Sequence, residues 1–335
     1  MVQGAAMREY ELEVLSQYDI EIKSTRKIRG AFFCDTDRGN VLLKEVHFSE
    51  KRAPLLVLLC RQLESRGYPD VDMPILTKEG ECLASGRDGR KYLLKRWFSG
   101  RECDVKKEQD LLTAVRNLAR LHLLMYWEAQ EEPPAQGRDL REEYFRHCRE
   151  MKKVRAFIRA KRNKGEFELL YLKHFEGMYR LADSVKNRLA DSSYEQLLQK
   201  SLAEKRLVHG DYNYHNILFP GNQPVTVNFD SFRPDVQMAD LYYFLRKVME
   251  KHRWRRELGE KLLRAYSSIR PLSDAEQEYL ALRFCYPEKF WKIANAYYHS
   301  NKAWIPEKSV EKLKICVEQT GERKQFAEQI LSFHL

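Results

Sequence analysis

The chain has 335 residues and a formal charge of +10, from 59 Lys and Arg against 49 Asp and Glu. Hydrophobic residues make up 43% and aromatic residues 12%, which is enough apolar material for a core and argues against a disordered chain. No apolar run reaches transmembrane length, and residues 1–19 mix acidic with apolar residues, unlike the core of a signal peptide. We therefore expect synthesis in the cytoplasm and either one large two-lobed domain or two ordinary domains.

The positive charge attracts anionic partners in general but does not identify one. In the basic stretch 151–162, Val154, Phe157 and Ile158 have the spacing of one buried helix stripe, so the basic side chains are expected on a solvated face. We therefore do not expect nucleic acid as a partner. The seven cysteines show neither close pairing nor the spacing of zinc ligands, so we expect reduced thiols.

The first elements predict a short helix followed by a small antiparallel sheet. Residues 10–18 have helical apolar spacing, and residues 20–22 alternate like a strand. Residues 30–34 and 40–44 flank a polar turn that ends in glycine, which predicts a β-hairpin. Lys44 ends this hairpin, where a lysine is ordinarily solvated.

Residues 52–65 predict a helix, because four leucines recur at spacings of three and four: Leu55, Leu56, Leu59 and Leu63. Glu64 lies near the end of this helix. Residues 90–98 read as a strand, and Ser99-Gly100 reads as a break. We place the domain boundary at this break, which gives one part over residues 1–98 and a second over residues 99–335.

The second part begins with a strongly amphipathic helix over residues 108–127. Two long charged helices are predicted at about 140–161 and 167–189. They form a helical insertion at about 140–190, whose surface is a candidate to receive a substrate or a partner.

The most informative stretch is residues 207–219, in which two apolar runs bracket a polar loop. Asp211 and Asn216 stand five residues apart, which is the spacing of the catalytic Asp and the metal-binding Asn in the kinase catalytic loop. Phosphoryl transfer from ATP uses a carboxylate to orient the attacking hydroxyl and a neutral oxygen to help hold Mg²⁺. The same residue types also occur in ordinary Asx turns.

A hairpin partner follows this loop. Residues 220–224 read as a turn, and residues 225–230 read as a second short strand ending in Asn228-Phe229-Asp230. Kinases carry the Asp of Asp-Phe-Gly at the position of Asn228. An amide offers a carbonyl oxygen to a metal but no charge, whereas Asp230 lies two residues further along an extended strand, on the same side of it.

These motifs resemble the aminoglycoside/choline-kinase branch of the kinase fold. The whole chain from about residue 20 resembles more closely the kinase-like CotS-type spore coat proteins of endospore-forming bacteria. The segments that carry this resemblance include Asp35-Thr36-Asp37-Arg38-Gly39, Trp97-Phe98-Ser99-Gly100-Arg101-Glu102 and Cys285-Tyr286-Pro287-Glu288-Lys289-Phe290-Trp291. CotS-type relatives usually carry Asp-Phe-Asp where this chain has Asn228-Phe229-Asp230.

The resemblance implies an α+β, two-lobed protein-kinase-like fold, with a small antiparallel-sheet N-terminal lobe and a larger, mainly helical C-terminal lobe. It also implies that ATP and Mg²⁺ are the cofactors of an active member. Asp211 would then be the base, and the metal would be held by Asn216 with Asn228 or Asp230. Lys44 would hold the phosphates, with Glu64 as its helix partner, and residues 23–33 contribute only Gly30 to a phosphate loop.

Two functions therefore stand as hypotheses. The first, which Asn228 favours, is a kinase-like coat component that binds other spore coat proteins and carries a weakened nucleotide pocket. The alternative is an active phosphotransferase acting on a hydroxyl of a small molecule or sugar. A nucleic-acid-binding protein is a third reading, which predicts binding that collapses with salt.

Overall fold

The computed structural model describes residues 9–28, 30–299, 307–331 and 333. Residues 1–8 of the segment examined for a signal peptide lie outside the described residues. The helices of the described part are α1 (Glu9–Ser16), α2 (Arg52–Ser65), α3 (Glu108–Leu124), α4 (Leu140–Ala160), α5 (Glu166–Ala190), α6 (Tyr194–Ala203), α7 (Met238–Met249), α8 (Arg256–Ser267), α9 (Asp274–Cys285), α10 (Glu288–Tyr298) and α11 (Glu307–Leu331).

The strands are short, apart from those of one sheet. They are β1 (Ile22–Ile28), β2 (Ala31–Thr36), β3 (Gly39–Val46), β4 (Ala84–Ser85), β5 (Lys91–Arg96), β6 (Arg101–Glu102), β7 (Leu207–Val208), β8 (Ile217–Phe219), β9 (Val225–Thr226) and β10 (Arg233–Pro234). The fold is α+β, as predicted.

The first five strands form an antiparallel sheet in the order β1-β2-β3-β5-β4. The predicted hairpin is present, and Thr36 pairs with Gly39 across a two-residue turn. Gly39 has a φ of +96°, a conformation that glycine adopts without steric cost. The sheet therefore places Lys44, on the central strand β3, opposite Leu93 of β5.

The segment before β4 runs along β5 and adds backbone hydrogen bonds to it. Ile75 N–H donates to the Leu94 carbonyl at 2.8 Å, and Arg96 N–H donates to the Met73 carbonyl at 2.9 Å. This register sets Lys95 opposite Pro74, and Asp72, two residues before Pro74 and on the same side of the segment, lies diagonally across from Lys95. The pairing of Asp72 with Lys95 is thus set by the backbone.

Two smaller sheets hold the polar loop. One pairs β6, β8 and β9, and the other pairs β7 with β10. The strand predicted over residues 225–230 is wrong in its second half, because β9 ends at Thr226 and a 3-10 turn occupies Phe229–Ser231. The reason is local: Asn228 has a left-handed conformation with φ +67° and ψ +53°, which ends an extended strand.

The chain divides into two compact units. The first contains the described residues up to Ala135 together with Glu204–Pro234, and the second contains Gln136–Ala203 with Asp235–Leu335. This division differs from the predicted boundary at residue 98. Polar contacts hold α3 in the first unit. The Asn117 amide donates to Tyr212 Oη of the polar loop at 3.1 Å and to Thr226 Oγ1 of β9 at 2.8 Å.

The second unit is helical. Helices α4 and α5 fall where the two long helices of the insertion were predicted. Each buries one stripe of its surface, and the basic residues 152–153 of α4 are exposed. None of the helices in the described part of the chain is both long and apolar enough to span a membrane.

Candidate active site

The polar loop holds Asp211 in a defined orientation. Its two carboxylate oxygens accept hydrogen bonds from the side-chain amides of Asn213 at 3.0 Å and Asn216 at 2.9 Å. The Asn216 amide also donates to the Asp211 carbonyl at 2.8 Å, which closes the loop on itself. The structure therefore brings together Asp211 and Asn216, the two residues predicted from their spacing.

His209 supports this loop from below. Its ring is fully buried and lies 4.7 Å from the Phe229 ring. One ring nitrogen contacts the Val227 carbonyl at 3.1 Å, and the other lies 3.2 Å from the backbone nitrogen of Asp211, which donates to it. His209 thus fixes the backbone that carries the candidate base, and does not face a reacting group itself.

Gly210 stands where kinases carry an arginine, and the structure requires glycine there. Its φ is +83°, and a Cβ at this position would lie 2.2 Å from the Ser231 carbonyl oxygen. A side chain would force the loop away from the turn after Asn228. The departure from the kinase pattern is therefore a consequence of close backbone packing.

Asn228 lies at the centre of the candidate site. Its backbone N–H donates to Asp72 Oδ2 at 2.7 Å, its Nδ2 donates to Asn216 Oδ1 at 2.8 Å, and its Oδ1 accepts from Lys95 Nζ at 2.8 Å. The left-handed backbone favours asparagine among residues with a side chain. Asn228 therefore has a conformational role as well as a polar one.

Asp230 follows in the 3-10 turn and meets two lysines. Lys44 Nζ lies 2.7 Å from Asp230 Oδ2, and Lys95 Nζ lies 3.6 Å from Oδ1. Burial raises the pKa of the Asp230 carboxyl, but the neighbouring Lys95 and Lys44 ammonium groups outweigh it and lower the pKa to about 2. Asp230 is thus held in its ionised form.

Lys95 forms the most buried ion pair of the site, because its Nζ lies 2.6 Å from Asp72 Oδ2 while both side chains are almost fully buried. Burial acts to lower the pKa of Lys95, but the carboxylates of Asp230 and Asp72 outweigh it and raise the pKa above its usual value. Burial raises the pKa of Asp72, against the opposing effect of Lys95. Lys95 is therefore a firmly charged group inside the protein.

Glu64 is not the partner of Lys44. Its Oε1 lies 2.8 Å from Arg96 Nη2, and Lys44 pairs with Asp230 instead. Glu64 is the penultimate residue of α2, where Arg96 at the end of β5 reaches it. The predicted Lys44–Glu64 pair is therefore not present, because each residue pairs with another partner.

Arg52, the first residue of α2, holds the turn that carries Asp230. Its Nε donates to the Asp230 carbonyl at 2.7 Å, and its Nη2 donates to the Phe232 carbonyl. The guanidinium carbon also lies 5.1 Å from the centre of the Phe232 ring. Arg52 therefore ties α2 to the turn through backbone acceptors.

An apolar platform lies beside these charges. One cluster on the sheet consists of Ala31, Phe33 and Leu42, and a second on the small sheet consists of Leu218, Val225 and Val227. Trp97, just after β5, packs against both clusters, which makes their shared edge suited to a flat aromatic ring. Among the described residues, the backbone of Phe98 makes no hydrogen bond to other backbone groups, so it is available to the edge of such a ring.

The oxygen atoms of the site test whether a divalent cation fits. Mg²⁺ needs near-octahedral oxygen ligands. Asn228 Oδ1 accepts from Lys95, Asn216 Oδ1 accepts from Asn228, and Asp230 Oδ2 accepts from Lys44. Asp230 Oδ1 makes no hydrogen bond but lies 3.6 Å from the Lys95 ammonium. A divalent cation therefore does not fit beside Asn228 in this arrangement.

Sequence reasoning missed Lys95, Asp72 and Arg52. The signal for Lys95 was present: it sits in β5 after two fully buried leucines, Leu93 and Leu94, where a lysine must find a partner. Asp72 likewise follows the buried Val71. The pairing of each carboxylate with its lysine depends on the register between residues 71–75 and β5. No local sequence pattern shows that register.

Sequence comparison gives one family and one individual relative. A family model described as "Spore coat putative kinase YutH" matches residues 11–330. Spore coat protein S of Bacillus subtilis is 24% identical over 305 residues, which cover 88% of this chain and 86% of that protein.

Structure comparison confirms the kinase-like fold. An aminoglycoside phosphotransferase from Alicyclobacillus acidocaldarius superimposes with a TM-score of 0.84 at 18% identity, covering 97% of this chain and 96% of that one. The spectinomycin phosphotransferase APH(9)-Ia, in complex with ADP and spectinomycin, has a TM-score of 0.65 at 14% identity, covering 94% and 97%. At these identities the likeness establishes the fold alone.

Proposed function

The chain belongs to this YutH spore coat family, and from that premise we propose that it serves the endospore coat as a kinase-like binding protein with a weakened nucleotide site. Its location would then be the spore coat, after synthesis in the cytoplasm, and its partners would be other coat proteins. The name of the Bacillus subtilis relative, Spore coat protein S, supports the same assignment.

One observation supports the proposal that the nucleotide site is weakened. The side-chain oxygens of Asn228, Asn216 and Asp230 that a kinase would give to Mg²⁺ accept hydrogen bonds from protein donors instead. Rapid phosphoryl transfer depends on metal charge at the phosphates. A pocket in which two lysines and the Asn228 amide already donate to these oxygens is better suited to holding a nucleotide than to turning it over.

The test is a sporulating strain that carries Asp211→Ala in place of the native protein. We expect its coat composition and resistance to match the wild type, while deletion of the whole protein changes the coat. Asp70→Ala, which removes an exposed aspartate of the same unit, is the matched control. Coat defects in Asp211→Ala as severe as those of the deletion would show that catalysis is required, and the proposal would fail.

The orientation of Asp211 favours the second candidate, a phosphotransferase acting on a hydroxyl of a small molecule or sugar. Both carboxylate oxygens are held by amides, as a base that orients a hydroxyl requires. In this case ATP and Mg²⁺ would be the cofactors and Lys44 would face the phosphates. ATP consumption that depends on a hydroxyl compound and falls by about 10²–10⁴ in Asp211→Ala would establish it.

A further inference from the structure

Lys95 occupies a cage of oxygen atoms inside the first unit. Its Nζ lies 2.6 Å from Asp72 Oδ2, 2.8 Å from Asn228 Oδ1 and 3.6 Å from Asp230 Oδ1. The Lys95 and Asp72 side chains are 0% and 2% exposed, so bulk solvent does not reach this pair. Two carboxylates and one amide oxygen around a positive charge are the ligand types that a divalent cation takes in proteins.

The ammonium also sets the direction of every hydrogen bond beyond it. Lysine has donors and no acceptor, so Asn228 must turn its oxygen to Lys95 and its Nδ2 away. That Nδ2 donates to Asn216 Oδ1, and the Asn216 Nδ2 then donates to Asp211 Oδ2 at 2.9 Å. The chain of donors runs from Lys95 to the candidate base.

A metal ion at this position would compete with the Lys95 ammonium for the same oxygens. It would need Asn228 Oδ1, which Lys95 holds, and it would stand next to a like charge with no water between them. An aspartate at position 228 would not solve the problem, because Lys95 would still pair with it.

We propose that the Lys95 ammonium is the resident cation of this site, filling the position that kinase-type sites give to a divalent metal. The pocket accordingly takes a nucleoside triphosphate without divalent metal. This consequence rests on the proposed function, which assigns the pocket a nucleotide; the cage itself is tested with metal ions alone, so the two can fail separately.

The metal-only test compares thermal unfolding in EDTA and in millimolar MgCl₂ or CaCl₂ for three forms of the full chain. Wild type and Asn228→Asp are each expected to melt at the same temperature in EDTA as in MgCl₂ or CaCl₂. The double variant Lys95→Met with Asn228→Asp removes the resident charge and leaves three carboxylates, so it is expected to melt several degrees higher with metal than in EDTA. Lys91→Met with Asn228→Asp is the matched control, because Lys91 lies on the same strand but is partly exposed.

The decisive variant is Asn228→Asp, which keeps Lys95 paired and should fold. A metal-dependent rise in its melting temperature as large as that of the double variant would show that residue 228 alone excludes the metal, and would overturn the proposal. A rise in wild type with metal alone would overturn it as well. If the double variant does not fold in EDTA, folding recovered by metal supports the cage, and failure to fold in both conditions overturns it.

The nucleotide consequence is tested on wild type with ATP in EDTA and ATP in MgCl₂. Equal upward shifts support a metal-independent pocket. A shift that requires Mg²⁺ overturns the resident-cation proposal. No shift in either condition overturns the nucleotide pocket of the proposed function, while the metal-only test still decides the role of Lys95.

Discussion

Each unit of the protein buries a cluster of charged side chains, and the two clusters end on different groups. The β5 cluster consists of Lys95, Asp72, Asn228 and Asp230, and it continues through Asn216 to Asp211. The α10 cluster consists of the largely buried Glu288, Arg283 and Tyr242 of the second unit, and Glu288 also pairs with the half-exposed Lys292. The first cluster therefore reaches a group in a polar loop, whereas the second stays among helices.

The α10 cluster is closed by aromatic rings. The Arg283 guanidinium carbon lies 4.2 Å from the centre of the Tyr242 ring, and Tyr242 Oη donates to Glu288 at 2.8 Å. Beside the cluster, Tyr144 stacks on Tyr286 with ring centres 3.5 Å apart. Charges enclosed in this way contribute to packing, while the charges of the β5 cluster orient a carboxylate. Burial of charge alone therefore does not mark a candidate site, because only the β5 cluster leads through hydrogen bonds to a carboxylate in a polar loop.

The largest effect is expected from Glu288→Gln in the α10 cluster. The buried Glu288 carboxylate compensates Arg283, and the two groups lie 3.6 Å apart. Removing one partner of a buried pair leaves an unpaired charge, so we expect a loss of about 3–5 kcal/mol in the free energy of unfolding. Urea unfolding measures it, with the exposed Glu142→Gln as control. Equal free energies of unfolding for the two variants would show that the Glu288–Arg283 pair does not stabilise the fold.

The second prediction concerns the pH dependence of stability that His147 gives to the second unit. His147 stacks on Trp291 at 3.4 Å, and burial, with Arg146 adding to it, lowers the pKa of His147 from 6.5 to about 3. Glu288 acts in the opposite direction, whereas Lys292 and Arg283 add to the lowering. The folded state thus favours the neutral ring, so stability is full above pH 6.5 and declines as the pH falls toward 3.

At about 1.4 kcal/mol for each pKa unit, the loss between pH 6.5 and about pH 4.5 should reach about 3 kcal/mol. His147→Phe keeps a ring against Trp291 and removes the titrating group, so its stability should stay flatter over this range. Urea unfolding at several pH values measures the slope. An unchanged slope in His147→Phe would assign the loss to another group.

The sequence predicted the fold and the loop more completely than the charges around them. Spacing alone predicted that Asp211 and Asn216 lie together, because both are in one short loop whose ends are strands. It could not assign Lys44 between Glu64 and Asp230, which are far apart along the chain and compete for the same ammonium.

The environment of Asn228 also could not be predicted from the local sequence. Its identity suggested a weakened metal ligand, and the structure adds a left-handed backbone that neither the strand pattern nor the kinase motif indicates. Lys95 completes the site only because residues 71–75 lie along β5, and that register depends on long-range backbone pairing.

The third prediction returns to the β5 cluster. Asp230 has a pKa lowered from 3.8 to about 2, because Lys95 and Lys44 outweigh the effect of burial. Its ionised form is favoured by folding, so its contribution is complete above pH 3.8 and is lost as the pH falls to about 2. The difference in unfolding free energy between wild type and Asp230→Asn should therefore shrink by about 2 kcal/mol over this window. A constant difference would mean that the lysines do not act on Asp230.

The smallest effect is expected from Asp72→Asn, the counterpart of Glu288→Gln in the other cluster. Asp72 Oδ2 accepts from both Lys95 and the Asn228 backbone, whereas Oδ1 makes no hydrogen bond. An asparagine keeps the accepting oxygen, and Asp230 still compensates Lys95. Because burial already raises the pKa of the Asp72 carboxyl, removing its charge also relieves a desolvation cost.

We therefore expect a loss of only about 1 kcal/mol for Asp72→Asn, measured by urea unfolding beside Glu288→Gln. The same acid-to-amide change would then cost several times less where a second carboxylate and an amide oxygen share the cation. Equal losses in the two variants would mean that Lys95 depends on Asp72 alone, in which case Asn228 and Asp230 do not form a cage with it. A small loss leaves Lys95 held by Asn228 and Asp230, the two residues through which the cluster reaches Asp211.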